Sequence, residues 1–180
     1  MKLNLKIKGK TQYNAKIEKA AAIVAEILGS KELEKFVLGY SFEKTFCTGA
    51  LWWKKCHSVK NLSFHMANLP NQLVLDSIQS GAESLSKERD GEIDLEIEVD
   101  HKYRRGVIGY TYPAIPTQYI YKWFLDSATV EEIAGNIAHE YMHKLGFEHE
   151  FNRAPYRDYS VPYAVGYFVE SQAMKMGMKP

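Results

Sequence analysis

Residues 126–149, DSATVEEIAGNIAHEYMHKLGFEH, are the part of the sequence that decides what this chain can be. Thr129 stands three residues before Glu132, which is the spacing of a helix capping box. Apolar residues then recur at helical intervals as far as Leu145. Gly146 follows, and glycine readily adopts the left-handed conformation that ends a helix. We therefore predict one amphipathic helix that ends at this glycine.

The polar side of this helix carries two histidines one turn apart. On a helical wheel His139 and His143 lie opposite a face of seven apolar residues, Val130, Ile133, Ala134, Ile137, Ala138, Tyr141 and Leu145. Packing in a core does not explain two histidines in that position. Residues i and i+4 can bring two imidazoles within reach of one ion, which indicates a metal site.

A third histidine completes the pattern H-E-x-x-H-x-x-G-x-x-H. A sharp turn at Gly146 could return His149 to the helix as a third ligand. Three neutral imidazoles leave zinc an open tetrahedral position for water. Glu140, next to the first histidine, would then stand beside that water rather than on the metal. The pattern predicts Zn²⁺ as cofactor, His139, His143 and His149 as its ligands, and Glu140 as general base.

This motif resembles that of the metzincin zinc metalloproteases. The resemblance implies an α+β fold, with a mixed twisted sheet, two long helices and a small C-terminal subdomain. It also implies one catalytic domain over residues 1–180, with an N-terminal subdomain at about 1–146 and a C-terminal one at about 147–180. The match itself covers about Thr129 to His149, and elsewhere only the order of predicted elements agrees.

The sequence departs from the metzincin pattern after the third histidine. Metzincins place a methionine-containing turn beneath the metal, and here the segment most like that turn, Ser160 to Tyr163, contains no methionine. Either Val161 or Pro162 does the same packing, or one of three late methionines folds back: Met174, Met176 or Met178. Some family members also use a tyrosine near the turn to reach the metal or the oxyanion. Tyr163 is the nearest candidate for that role.

The remaining elements follow from local patterns. Alternation of apolar and polar residues predicts a strand around Leu3 to Ile7 and a second at Ile93 to Val99. We interpret the acidic outer face of the second strand as a solvated edge in preference to a cation site. Helices are predicted at about 14–28 and 31–38 and strands at 106–112 and 118–125. Residues 42–75 show no clear pattern, and 77–91 indicate a polar loop, alone or after a helix.

Composition limits the partners. The chain has 23 Lys and Arg against 22 Asp and Glu, a net charge of +1, which argues against general nucleic-acid binding. No apolar run approaches the length that crosses a bilayer, and no export signal is present, so we expect no membrane partner and a cytoplasmic location by default. Cys47 and Cys56 could pair, but two cysteines do not define a compartment.

Zinc-dependent hydrolysis of a peptide bond is the expected function, with a peptide or protein substrate lying along residues 106–112 as an added strand. A non-catalytic zinc-binding module, structural or interacting, is one alternative, which a fourth protein ligand would favour. A hydrolase of a non-peptide amide is another, which a closed pocket would favour. Oligomeric state is left open by the sequence.

Overall fold

The computed structural model describes residues 1–48, 53–83, 89–112, 114–151 and 154–177, and it combines helices with strands in a mixed α and β architecture. A short 3₁₀ helix, Arg157–Tyr159, precedes the last helix. The elements in chain order are β1 (Lys2–Lys8), α1 (Asn14–Leu28), α2 (Lys31–Leu38), β2 (Phe42–Thr48), β3 (Lys55–Leu62), α3 (Asn71–Ser80), β4 (Glu92–Asp100), β5 (Gly109–Thr111), β6 (Thr117–Tyr121), α4 (Lys122–Ser127), α5 (Val130–Lys144) and α6 (Val161–Gly177).

Four strands form the main sheet in the order β1-β4-β6-β5. Strands β1, β4 and β6 are parallel, and β5 pairs antiparallel with β6 at one end. The predicted strands at 106–112 and 118–125 are present but shorter. Residues 122–127 form α4 instead of extending β6, and an ion pair of 2.7 Å between Lys122 and Asp126 spans its one turn.

Strand β4 lies inside the sheet, so the interpretation of its acidic face as an edge is wrong. Its apolar side is buried, whereas its acidic side faces the lysines of β1. Lys6 and Lys8 each approach Glu96 to 2.7 Å. Hydrogen bonds from Lys6, Lys8 and Thr117 lower the pKa of Glu96 to about 2. The acidic row therefore joins two parallel strands by ion pairs.

Helices α1 and α2 begin and end where the sequence predicts. Gly29 follows α1, and the Ser30 hydroxyl accepts a hydrogen bond of 3.1 Å from the Leu33 N–H at the start of α2. Helix α1 packs against β1 and α5, and its inner face is fully buried. This packing makes α5 a central helix of the fold.

Helix α6 was not predicted, and it covers part of the polar side of α5. The two helices touch at glycines. A β-carbon on Gly135 would lie 3.1 Å from the Gly166 carbonyl oxygen, and one on Gly166 would lie 3.2 Å from the β-carbon of His139. Both distances are tighter than ordinary contacts, so the helix backbones meet directly beside the first motif histidine.

Strands β2 and β3 form a separate antiparallel hairpin within the region that showed no clear pattern. Cys47 and Cys56 pair across it and form a disulfide, with their α-carbons 4.1 Å apart. Within the described ranges, no helix is both long and apolar enough to cross a membrane.

Candidate metal centre

Helix α5 is built as the sequence predicts. The Thr129 hydroxyl accepts the Glu132 N–H at 3.2 Å, and the Glu132 carboxylate accepts the Thr129 N–H at 2.7 Å, which completes the capping box. Gly146 adopts φ of +90°, the left-handed region that favours glycine. The Phe147 N–H then bonds back to the Met142 carbonyl at 3.0 Å and directs the chain toward the helix it has just left.

This turn brings the three motif histidines together. One ring nitrogen from each of His139, His143 and His149 lies within 4.8 Å of those of the other two. The Nε2 atoms of His139 and His149 are 3.2 Å apart. A tetrahedral ion with metal–nitrogen bonds of about 2.0–2.1 Å holds its ligand nitrogens about 3.3 Å apart. The group is therefore close enough to hold a metal ion.

Each histidine has a backbone carbonyl to receive a ring N–H. His143 Nδ1 lies 2.7 Å from the Phe147 carbonyl oxygen, and His149 Nδ1 lies 2.9 Å from that of Glu150. A ring N–H of His139 bonds to the Pro162 carbonyl. When Nδ1 donates in this way, the Nε2 lone pair stays available, and such bonds commonly fix the orientation of metal-binding histidines.

Burial favours the neutral form of two of these imidazoles, His139 and His143, in the metal-free protein. It is the main reason why the pKa of His139 lies well below 6.5, and the neighbouring His143 and His149 act in the same direction. Burial also lowers the pKa of His143 to about 4, against the opposing hydrogen bond to Phe147. Neutral imidazole is the form that binds a metal. Protons therefore compete only weakly with a metal ion for these two side chains at neutral pH.

Glu140 is buried beside the histidines, with 6% of its surface exposed. Burial raises the pKa of its carboxyl to about 8, against the attraction of Lys144. In the described residues the metal-binding group contains the three histidines and excludes this carboxyl. Its charge also raises the pKa of Tyr163, so the two side chains interact.

Lys144 lies near the edge of the apolar face of α5, where a lysine usually extends its ammonium group into water, but here that group is buried. It is 3% exposed and donates to the backbone carbonyls of Tyr112, at 3.0 Å, and Ile115. The lysine thereby ties the end of α5 to the loop between β5 and β6. Burial lowers the pKa of Lys144, and Glu140 opposes that effect.

The start of α6 forms another wall of the site. Ser160 to Tyr163 is not a turn, because Val161 begins the helix there. The Tyr163 ring nevertheless lies 4.5 Å from the His139 ring and 4.8 Å from the His149 ring, measured between centroids. Met174 lies eleven residues further along the same helix, about 16 Å at 1.5 Å per residue, and is 40% exposed. Met176 is further still, and Met178 lies outside the described residues.

Arg157 is a site residue that the sequence did not indicate, since it belongs to no motif. Its guanidinium carbon lies 4.4 Å from the centre of the Tyr163 ring. The cation opposes the burial that raises the pKa of Tyr163, and it helps to lower the pKa of His139. The positively charged Arg157 therefore packs on the Tyr163 ring, and that ring in turn packs on the histidines.

Comparison with family models, curated proteins and solved structures finds no match for this chain. The resemblance to metzincins therefore depends on the motif and on the geometry around it. That geometry brings together three nitrogen donors, a buried carboxyl, a tyrosine and an arginine.

Proposed function

We propose that this chain is a zinc-dependent hydrolase that cleaves peptide bonds and has a metzincin-type catalytic domain. The convergence of the three imidazoles beside the buried Glu140 is the observation that carries the proposal. Nitrogen-only ligands with one open position are typical of catalytic zinc, whereas structural zinc usually has four protein ligands and more cysteine. Among the described residues, no fourth histidine, cysteine or carboxylate joins the group.

His139, His143 and His149 would hold the zinc, and Glu140 would move the protons. Zinc bound there supplies a Lewis acid that lowers the pKa of a water molecule and polarises the scissile carbonyl. Glu140 takes the proton of the attacking water on its carboxylate and returns it to the leaving amine. Its burial suits both halves of that exchange, since little bulk water can reach the carboxyl and take the proton it carries.

Tyr163 and Arg157 would stabilise the negative charge that develops on the carbonyl oxygen. The Tyr163 hydroxyl is the donor, and its ring contacts two of the histidines. Arg157 sits over that ring and adds positive potential without being a ligand. Donors that are fixed before the reaction stabilise such charge without reorganisation during it.

Strand β5 would receive the substrate as an added strand. It is an end strand of the main sheet, and it is fixed to the motif helix. A β-carbon on Gly109 would lie 2.6 Å from the Asn136 amide oxygen, so strand and helix are in direct contact there. A peptide paired with this edge gains backbone hydrogen bonds whatever its side chains are.

The test is cleavage of a diverse peptide library by the zinc-loaded protein, read by mass spectrometry. Glu140→Gln should keep one zinc per chain and reduce cleavage by about a hundredfold to ten-thousandfold, the usual contribution of a general base. Glu148→Gln is the matched control, because it changes an exposed glutamate of the same motif. Loss of zinc in Glu140→Gln would make Glu140 a ligand, and undiminished cleavage would show that another group activates the water.

A further inference from the structure

The hairpin formed by β2 and β3 is positively charged, whereas the rest of the chain is not. Residues 42–62 contain four lysines and one glutamate, a net charge of +3. The remaining residues carry 19 basic against 21 acidic side chains, a net charge of −2. Almost every described residue of the hairpin beyond Phe42 is exposed or half-exposed. Positive charge and solvent exposure are thus concentrated in this hairpin, residues 42–62, which we call the arm.

One face of this arm combines cations with aromatic and aliphatic side chains. Cross-strand pairing puts Lys44 opposite Val59, Phe46 opposite His57 and Thr48 opposite Lys55, and alternate residues of a strand share a face. The Phe46 and His57 rings stack at 5.5 Å, and Lys44 Nζ lies 5.3 Å from the centre of the Phe46 ring. Phe46 is 39% exposed and Val59 38%.

A tryptophan and two further cations stand where β3 begins. Trp53 is 65% exposed and is followed directly by Lys54 and Lys55. The opposite face of the hairpin carries Thr45, Ser58 and the disulfide. The disulfide bonds the two strands covalently and holds the arm in register.

We propose that this hairpin docks the protein on the surface of a bilayer that contains anionic lipids. Lysines close to such a surface are attracted by its negative potential, and tryptophan is enriched at the level of the lipid headgroups. The expectation of no membrane partner was based on the lack of a spanning segment, and surface binding needs no such segment.

An acidic protein partner is the competing occupant, and the shape of the arm favours the bilayer. In its described residues the hairpin is a two-stranded arm with both faces exposed, so a protein partner would have to supply the pocket for Trp53. The headgroup layer accepts a tryptophan without a shaped pocket. The root of the arm is fastened to the body, since the Tyr156 hydroxyl contacts the Thr45 N–H at 2.9 Å and Phe42 stacks on Tyr159 at 4.9 Å.

The test is co-sedimentation of the full chain with vesicles of phosphatidylcholine alone and of phosphatidylcholine mixed with phosphatidylserine. Binding should need phosphatidylserine and should weaken as salt is added. The double variant Lys54→Glu and Lys55→Glu should bind at least about 25-fold more weakly, since each lysine near an anionic surface contributes about a fivefold factor. The matched control, Lys31→Glu with Lys35→Glu, makes the same charge change on exposed positions of α2 and should bind nearly as wild type.

A second variant separates insertion from charge. Trp53→Ser removes an exposed side chain, so the fold should be retained, as circular dichroism would verify, and vesicle binding should still fall. Three results would each overturn the proposal. The first is equal binding to vesicles with and without phosphatidylserine, and the second is an equal loss of binding in the hairpin double variant and the α2 control. The third is no vesicle binding together with binding of poly-glutamate that depends on the hairpin. None of these readouts involves the histidine cluster, so they stand apart from the test of peptide hydrolysis.

Discussion

Replacing Glu140 by glutamine should stabilise the metal-free protein, and by an amount that depends on pH. Burial raises the pKa of this carboxyl from 4.5 to about 8 in the folded state. The unfolded chain exposes the same group to water, where its pKa is close to the ordinary value. Glutamine has nearly the same shape and cannot ionise.

The sign follows from proton binding. Between pH 4.5 and pH 8 the folded protein keeps the Glu140 proton while the unfolded chain releases it, so wild-type stability falls as pH rises through this window. The cost is about 1 kcal/mol at pH 5, about 3 kcal/mol at pH 7 and close to 5 kcal/mol above pH 8. Glu140→Gln removes that cost. The free energy of unfolding of the variant, relative to that of wild type, should therefore be lowest near pH 4.5 and rise steadily toward pH 8.

Urea unfolding in the presence of a chelator measures this directly, with both proteins followed from pH 4.5 to pH 8.5. The informative quantity is the change with pH of the difference in free energy of unfolding, because a constant cost of burying the amide cancels. Glu148→Gln should show no such trend, since that side chain is exposed. A difference that stays flat across the range, or that favours wild type at high pH, would refute the reasoning from burial.

Three other substitutions test the remaining parts of the site. His143→Ala should reduce bound zinc and abolish the rise in melting temperature that zinc gives, because a metal held only by the folded state stabilises that state. Elemental analysis measures the bound zinc, and thermal unfolding with and without chelator measures the change in melting temperature. Tyr163→Phe should retain zinc but lower kcat about a hundredfold on any substrate found, the usual effect of losing one oxyanion donor, and an unchanged kcat would assign the tyrosine to packing. Gly146→Ala meets no atom within 4 Å but must keep φ at +90°, so urea unfolding should show a loss of about 1–2 kcal/mol, and no loss would mean that the turn relaxes.

The parts of the fold that local chemistry determines could be predicted from the sequence. The capping box at Thr129 and the stop at Gly146 bound α5, and the bounds of α1 were equally clear. The spacing of the three histidines also pointed to the place where they meet. In each case the deciding residues lie within a few positions of one another.

The rest depends on contacts between distant segments. The alternating sequence of β4 is compatible with a strand at the edge of a sheet and with one inside it. Only its pairing with both β1 and β6 shows that it lies inside. Helix α6 begins with Val161-Pro162 and is mostly buried over its first two turns, so this part lacks the polar stripe that would mark a surface helix. The burial of Lys144 follows from carbonyls about thirty residues earlier, which no local pattern reveals.

The contact between Gly135 and Gly166 links the shape of the site to two residues that carry no chemistry of their own. Each glycine lies against a backbone carbonyl of the other helix, with the β-carbons of Glu170 and His139 close by, so neither position has room for a methyl group at the present spacing of α5 and α6. A methyl group at either glycine would push the two helices apart and cost packing between them. Because Tyr163 belongs to α6 and His139 to α5, the same movement would carry the tyrosine away from the histidine. These two positions are therefore where a change in reactivity could arise without any change in the reactive side chains.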